Sequence, residues 1–189
     1  MTLEILTPPA VEPVSLADAK AHLRVTYDAE DALITRLLLA TRQRVETELG
    51  LALITTALRE TFSDWGQRLT QRGAARLLRG PLQSVQSIDI ADVNGDFDSL
   101  DPSRYTARIA TRPGLVASVG GAFPAPQIAN GGIRIDYTCG FGDEASDVPA
   151  PLIQAILALT AHAFEHRDAA DPPTALVEPW LAPYRRVRL

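Results

Sequence analysis

Residues 15–50 read SLADAKAHLRVTYDAEDALITRLLLATRQRVETELG, and this stretch carries the clearest helical pattern in the chain. It opens with Ser15, which is followed three residues later by Asp18, a spacing typical of a capped helix N-terminus. Apolar side chains then recur at helical intervals along one face. The pattern predicts a short helix over about residues 16–24 and a second helix after it.

The second helix of this stretch is predicted to be long. Asp28 is its predicted N-cap, and apolar residues follow at helical spacing from Leu33 to Leu49. Gly50 stands where many helices end in a left-handed cap. Two helices joined by a short acidic turn are therefore expected near the start of the chain.

The pattern changes between residues 51 and 141, where short β-prone runs alternate with glycine, proline, asparagine and aspartate. Asn94-Gly95 separates two such runs and predicts a hairpin turn, because both residues tolerate positive φ angles. Pro81 and Pro113 mark expected strand starts or strand edges. The region predicts a small antiparallel sheet inserted between helical parts. The predicted strands are Thr55–Phe62, Val85–Ile90, Tyr105–Ala110, Leu115–Val119 and Ile133–Thr138.

A third helix is predicted over about residues 150–167. Pro149 and Pro151 lie at its start, where proline is tolerated, and most positions beyond them are apolar. A helix that is apolar nearly all round must be covered on several sides. Either its own domain or a neighbouring copy of the chain is expected to cover it.

The composition limits the class of protein. The chain has 189 residues, of which 46% are hydrophobic, so it is long enough for one folded domain with or without an appendage. Its net charge of −5 argues against a protein that coats nucleic acid through positive charge. Cys139 is the single cysteine, and no apolar run reaches the roughly 20 residues that span a bilayer. We expect a soluble protein made in the cytoplasm.

One motif suggests metal chemistry. His162, Glu165 and His166 fit the H-x-x-E-H pattern of inverted zinc proteases, in which two histidines hold zinc and the glutamate is a general base. A zinc hydrolase is therefore one alternative function. A zinc site of this kind also needs a third protein ligand. No third ligand is evident, because Glu178 lies among prolines near the chain end. No other catalytic, cofactor-binding or metal site is predicted.

The last residues of the chain mix large apolar side chains with arginines. This composition favours a segment that docks on a partner, and the competing interpretation is a tail packed on its own domain. A generic cytoplasmic interaction module, with this tail as a peptide ligand, is therefore a second alternative function. The predicted docking residues are Trp180, Leu181, Tyr184, Arg185, Arg186, Arg188 and Leu189.

Two segments together resemble the head–tail connector (adaptor) family of tailed phages and gene transfer agents. Residues 13–54 have the family's short capped helix, acidic turn and long helix. Residues 135–168 resemble its strand, its G-[YF]-G-[DE] turn and its V-P-x-x-[IL]-x-x-A-[IL] helix start. The closing A-H-[WF]-[YF]-E-x-R motif appears with Ala163 in place of the usual aromatic residue. The resemblance also accounts for the H-x-x-E-H match, because this helix is structural in the family.

The resemblance implies a structural protein that is not an enzyme and uses no cofactor or metal. Family members form a ring, typically of twelve copies, beneath the portal protein and give stopper or tail-completion proteins a surface to attach. DNA passes through the ring in transit without sequence-specific binding, and no membrane takes part. The implied place of the chain is the neck of a virion or gene transfer agent particle, after synthesis in the bacterial cytoplasm.

The expected fold class is α+β, with a helical core, an inserted small antiparallel β region and an extended C-terminal tail. In the ring, the late helix is expected to pack against neighbouring copies through Ile153, Ile156, Leu157 and Phe164. The predicted division is an extended arm over residues 1–14, a single adaptor domain over 15–170 and a docking tail over 171–189. Within that domain, the helical core comprises residues 15–50 and 147–168, and the β insertion comprises residues 51–141.

Overall fold

The chain forms two compact units. The computed structural model describes residues 1–66, 68–109, 111–166 and 174–185. The first unit, called the β unit, consists of Met1–Pro9 and Gly50–Phe141, and the second, called the helical unit, consists of Ala10–Leu49 and Gly142–Leu189. Strands and helices both occur, so the predicted α+β class is confirmed.

The secondary structure elements are numbered in chain order. The helices are α1 (Leu16–Leu23), α2 (Asp31–Leu49), α3 (Ala150–Glu165) and α4 (Glu178–Leu181). The strands are β1 (Thr2–Thr7), β2 (Thr56–Phe62), β3 (Ala74–Arg76), β4 (Leu82–Ala91), β5 (Phe97–Ser99), β6 (Tyr105–Arg108), β7 (Leu115–Ser118) and β8 (Ile133–Cys139).

Two antiparallel sheets build the β unit. The larger has the strand order β1-β2-β8-β4-β5, and the smaller has the order β3-β7-β6. Side chains of β2 and β8 alternate between buried and half-buried positions, the pattern of a strand with one face on a core. On the opposite face the Arg59 guanidinium binds both carboxylate oxygens of Asp136, its cross-strand partner, at 2.7 Å each. The buried face forms the core of the unit.

Each predicted strand has a counterpart in the structure, and the Asn94-Gly95 turn is confirmed. Gly95 adopts a φ of 88° between β4 and β5. The carboxylate of Asp92 accepts hydrogen bonds from the backbone N–H groups of Asn94 and Asp96. The acidic residues at this hairpin tip therefore stabilise a turn.

Part of the predicted N-terminal arm forms a β-strand. Within the predicted arm, Thr2–Thr7 form β1, which pairs antiparallel with β2 at the edge of the larger sheet. Leu3 packs against the core of the β unit. The prolines at positions 8 and 9 end the strand, because proline cannot donate to the ladder.

Two aromatic residues attach the long loop that precedes β8. The rings of Trp65 and Phe123 are stacked with centroids 4.2 Å apart, and the Trp65 indole N–H donates to the Pro124 carbonyl oxygen at 2.8 Å. Both rings are buried. The loop over residues 120–132 therefore contributes Phe123 to the core of the β unit.

The start of the helical unit follows the sequence prediction closely. The Ser15 hydroxyl accepts a hydrogen bond from the Asp18 backbone N–H at 3.0 Å, which confirms the predicted cap of α1. Gly50 has a φ of 64° directly after α2, as expected of a helix C-terminus. The prediction that Asp28 caps α2 is wrong, because the helix begins at Asp31. The Asp28 carboxylate instead accepts from the Lys20 ammonium at 2.7 Å.

The late helix α3 is covered by other helices of its own unit. It contacts α1, α2 and α4. Its fully buried side chains include Leu152 and Ala155, and Pro151 lies in its first turn, as predicted. The neighbouring helices of the unit therefore cover much of the apolar surface of α3.

Candidate assembly surfaces

The side of α3 that faces α2 contains a buried polar contact. The hydroxyl oxygens of Thr41 and Thr160 lie 2.9 Å apart, and Thr41 also donates to backbone carbonyl oxygens of its own helix. Both threonines are buried, so the hydroxyls need these partners. The contact fixes which face of each helix points inward.

The residues predicted to pack between ring neighbours divide between two sides of α3. Ile156 is 1% exposed and lies in the core of the helical unit. Ile153, Leu157 and Phe164 are half-buried and lie on the neighbouring flank of the helix, about 60–100° around its axis from Ile156. Only the half-buried residues present surface that a neighbouring copy can reach.

The inward face of α2 holds a buried arginine that the sequence pattern did not reveal. Arg42 is 7% exposed, and its guanidinium binds Glu12 and Glu46, each at 2.7 Å. An arginine that is paired twice can be buried, because the carboxylates replace its water. The contact with Glu12 also attaches the segment before α1 to α2. Its sequence signal is weak, since an i,i+4 Arg–Glu pair is common on exposed helices.

The described part of the tail packs on the helical unit. Val177 and Leu181 are buried, with Leu181 fully so, and α4 contacts α3. Trp180 and Tyr184 are half-buried. Of the predicted docking residues, Arg186, Arg188 and Leu189 lie outside the described part of the chain.

Arg185 joins the end of the described tail to α2. Its guanidinium lies 2.5 Å from Glu48 and 2.6 Å from Glu178. The hydrogen bond to Glu178, together with the Glu48 charge, raises the pKa of Arg185 above its usual value. These pairs lie at the surface, where each contributes little to stability. The two ion pairs fix the position of Arg185 on the surface of the helical unit.

The β unit contains a buried carboxyl group. Glu60 on β2 is 0% exposed, and its Oε1 accepts hydrogen bonds from the Tyr137 hydroxyl at 2.5 Å and the Leu78 backbone N–H at 2.6 Å. Its Oε2 lies 3.0 Å from the Arg68 guanidinium. Burial raises the pKa of Glu60, although these partners act against the rise. Glu60 and its partners connect β2, β8 and two loops of the same unit. The cluster therefore stabilises the fold of the β unit.

The H-x-x-E-H residues do not form a metal site. The imidazole rings of His162 and His166 stack on one another with centroids 4.4 Å apart. Glu178, the candidate third ligand, binds Arg185. No cluster of three or more metal-ligating side chains occurs in the residues that the structure describes. The zinc hydrolase alternative therefore has no geometric support there.

Comparison with known proteins bears on the predicted family. Residues 13–96 match the family model of the phage gp6-like head-tail connector protein. The resemblance predicted from the sequence is confirmed. No curated protein matches the chain. The matched part contains α1, α2 and the strands β2, β3 and β4 of the β unit.

Solved structures similar to this chain come from gene transfer agent (GTA) particles. A chain in the virion of a native GTA particle is 25% identical with a TM-score of 0.84, over 100% of this chain and 97% of that chain. A chain from the neck of an empty GTA particle with C6 symmetry is 24% identical at a TM-score of 0.84, with the same shares covered. One from the neck of a native GTA particle with C12 symmetry is 24% identical at a TM-score of 0.81, again over 100% and 97%.

The family model and the likeness to the virion chain support a structural head–tail connector. Among the described helices, none has both the length and the apolar character needed to cross a membrane.

Proposed function

We propose that this chain is the head–tail adaptor of a phage or GTA particle and forms a ring, of twelve copies, beneath the portal. The observation that carries the proposal is the likeness to a GTA virion chain at a TM-score of 0.84 over the whole length of this chain. The connector family model over residues 13–96 supports it independently from the sequence. In this role the ring links the DNA-filled head to stopper or tail-completion proteins.

The ring would also let DNA pass through its channel. The net charge of −5 supports this role, because rings of basic side chains would bind phosphate and slow the DNA. No base-specific contact is required of a conduit. The proposed contribution of the chain is therefore structural rather than catalytic, with no cofactor, metal or membrane.

The tail is proposed to dock on the portal. The structure places Leu181 in the core of the helical unit, so its role there is to hold α4 in place. The half-buried Trp180 and Tyr184 and the exposed Arg185 then provide surface around the point from which the last residues continue. Arg186, Arg188 and Leu189 complete the proposed docking set, and arginine is enriched at protein interfaces.

Microscopy of particles tests the adaptor function. Deletion of the gene in the producing bacterium is expected to leave DNA-filled heads without tails, and the unchanged chain supplied in trans should restore complete particles. Imaging the neck of restored particles should show a ring with one copy of this chain per symmetry unit. Complete, tailed particles in the deletion strain would contradict the proposal.

A truncation tests the tail separately. A chain ending at residue 185 keeps α4 and the Arg185 pairs, whereas it lacks the last four residues. We expect it to remain folded and to lose stable attachment to portal-containing heads. If it occupied those heads as fully as the unchanged chain, docking by the last four residues would be wrong.

A further inference from the structure

The outward face of α2 carries little charge for a helix surface. The exposed side chains Arg36, Leu39, Ala40 and Gln43 lie on the side opposite the one that holds Thr41. Leu39 is 41% exposed, and Arg36 is the one charged residue among the four. A helix that faces water in the assembled state usually presents a more polar surface. This face therefore has the character of a surface that becomes covered.

The outward face of α3 has a similar character. Gln154, Leu157 and Ala161 are half-buried and Glu165 is exposed, on the side away from the buried Leu152 and Ala155. Glu165 is the one acidic residue of this helix. Two helices of the same unit thus each present an outward face with an apolar centre.

The charges on the two faces are opposite in sign. Arg36 on α2 and Glu165 on α3 form no hydrogen bond or ion pair with the residues that the structure describes. Opposite charges on two outward faces of the helical unit are complementary between one copy and the next. Such complementarity favours correct orientation and suppresses wrong partners.

We propose that the outward face of α2 in one copy packs against the outward face of α3 in the next copy around the ring. The inference rests on the proposed ring and names the two surfaces that meet in it. A cyclic ring requires a heterologous interface, in which two different faces of the same chain are complementary. Since the opposite side of α2 binds α3 within one copy, an alternating series of α2 and α3 would continue from copy to copy.

The opposite charges also fix a register. With the two helices antiparallel and Arg36 beside Glu165, moving four residues along each helix sets Ala40 of one copy opposite Ala161 of the next. Four residues correspond to about 6 Å along a helix axis, so the two steps match. Small residues at this position allow the helices to approach closely.

Cysteine cross-linking tests the pair directly. Particles are assembled with a chain that carries both Ala40→Cys and Ala161→Cys, then oxidised mildly and analysed without reductant. The expected result is a ladder of covalent multimers of this chain. Each single variant should give no ladder, because a heterologous interface places position 40 opposite 161 and not opposite itself. Cys139 is buried, and the unchanged chain measures its background.

A charge reversal provides the second measurement. Arg36→Glu and Glu165→Arg are each expected to lower incorporation into particles about tenfold, and the double reversal to restore it. Tailed particles with normal occupancy but no cross-linked ladder would overturn this interface and leave the adaptor function standing. Particles whose necks lack the unchanged chain would overturn both.

Discussion

The phenol hydroxyl of Tyr137 donates a hydrogen bond to Oε1 of Glu60 over 2.5 Å, and both residues are 0% exposed. A carboxyl group in this position has no water to stabilise its charge. Burial is the largest cause of the raised pKa of Glu60, and burial also raises the pKa of Tyr137. The pair therefore makes the stability of the β unit depend on pH.

The sign of this dependence follows from the raised pKa of Glu60. The folded chain binds the Glu60 proton more tightly than the unfolded chain does, so this contribution to stability is complete below the unfolded pKa. It is lost as the pH rises through the folded value. We expect Glu60→Gln to remove that part of the decline in the free energy of unfolding toward neutral pH.

Urea denaturation at a series of pH values measures the effect. Asp98→Asn is a matched control, because this exposed hairpin residue loses a charge without touching the cluster. Glu60→Ala should cost about 2–4 kcal/mol, since it leaves the Tyr137 hydroxyl and the Leu78 N–H without their acceptor. Identical pH profiles for the unchanged chain and Glu60→Gln would show that Glu60 does not titrate in this range.

Gly140 is expected to tolerate no side chain. It has a φ of 146°, and a Cβ there would lie 2.6 Å from the backbone nitrogen of Thr55. Gly140→Ala therefore combines a backbone clash with conformational strain and should destabilise the chain by about 3 kcal/mol or more.

The matched control is Gly95→Ala. Gly95 has a φ of 88° with nothing within 4 Å of the added Cβ, so only strain of about 1 kcal/mol applies. Thermal melts followed by circular dichroism compare the two variants. Equal losses for both would contradict the assignment of a steric clash at Gly140.

Removal of the buried Arg42 side chain is expected to destabilise the helical unit. Arg42→Ala removes a buried guanidinium that binds Glu12 and Glu46, each at 2.7 Å, and should cost about 2–4 kcal/mol. Gln43→Ala on the outward face of α2 is the control and should change stability by less than about 0.5 kcal/mol. Chemical denaturation of the two variants measures the difference, and a loss below 1 kcal/mol for Arg42→Ala would contradict it.

The tail should depend more on an apolar contact than on its ion pairs. Leu181→Ala removes a fully buried side chain and is expected to cost about 2–4 kcal/mol and to speed amide hydrogen exchange over residues 177–185. Arg185→Gln removes two surface pairs and should cost less stability than Leu181→Ala does. Hydrogen exchange monitored by mass spectrometry compares them, and a larger effect for Arg185→Gln would reverse the ranking.

The sequence predicted elements whose causes are local. The cap at Ser15, the helix end at Gly50 and the turn at Asn94-Gly95 all formed as expected, because their hydrogen bonds and φ angles involve residues within a few positions. The cap prediction failed where a side chain of another helix binds the predicted cap residue. Asp28 was expected to cap α2 and instead binds Lys20, eight residues earlier.

The candidate surfaces were harder to predict than the local elements, because they depend on packing between segments that lie far apart in the sequence. The apolar pattern of α3 indicated that the helix had to be covered, but Ile156 and Leu157 looked alike in the sequence. Only the packing of the other helices showed that Ile156 is buried and Leu157 is half-buried. The sequence of the tail was ambiguous in the same way, because a leucine beside arginines is compatible both with a docking segment and with a segment packed in a core.

By itself the sequence determined the α+β class, most helix and strand positions and the resemblance to the connector family, because periodicity, caps and turns act over short distances. The tertiary structure decided which charged groups are buried and which faces remain available. Glu60 reaches Tyr137 across 77 positions of the chain, and Arg42 reaches Glu12 across 30. Such pairs exist only when folding brings distant segments together, since burial, unlike periodicity, is a property of the packed chain.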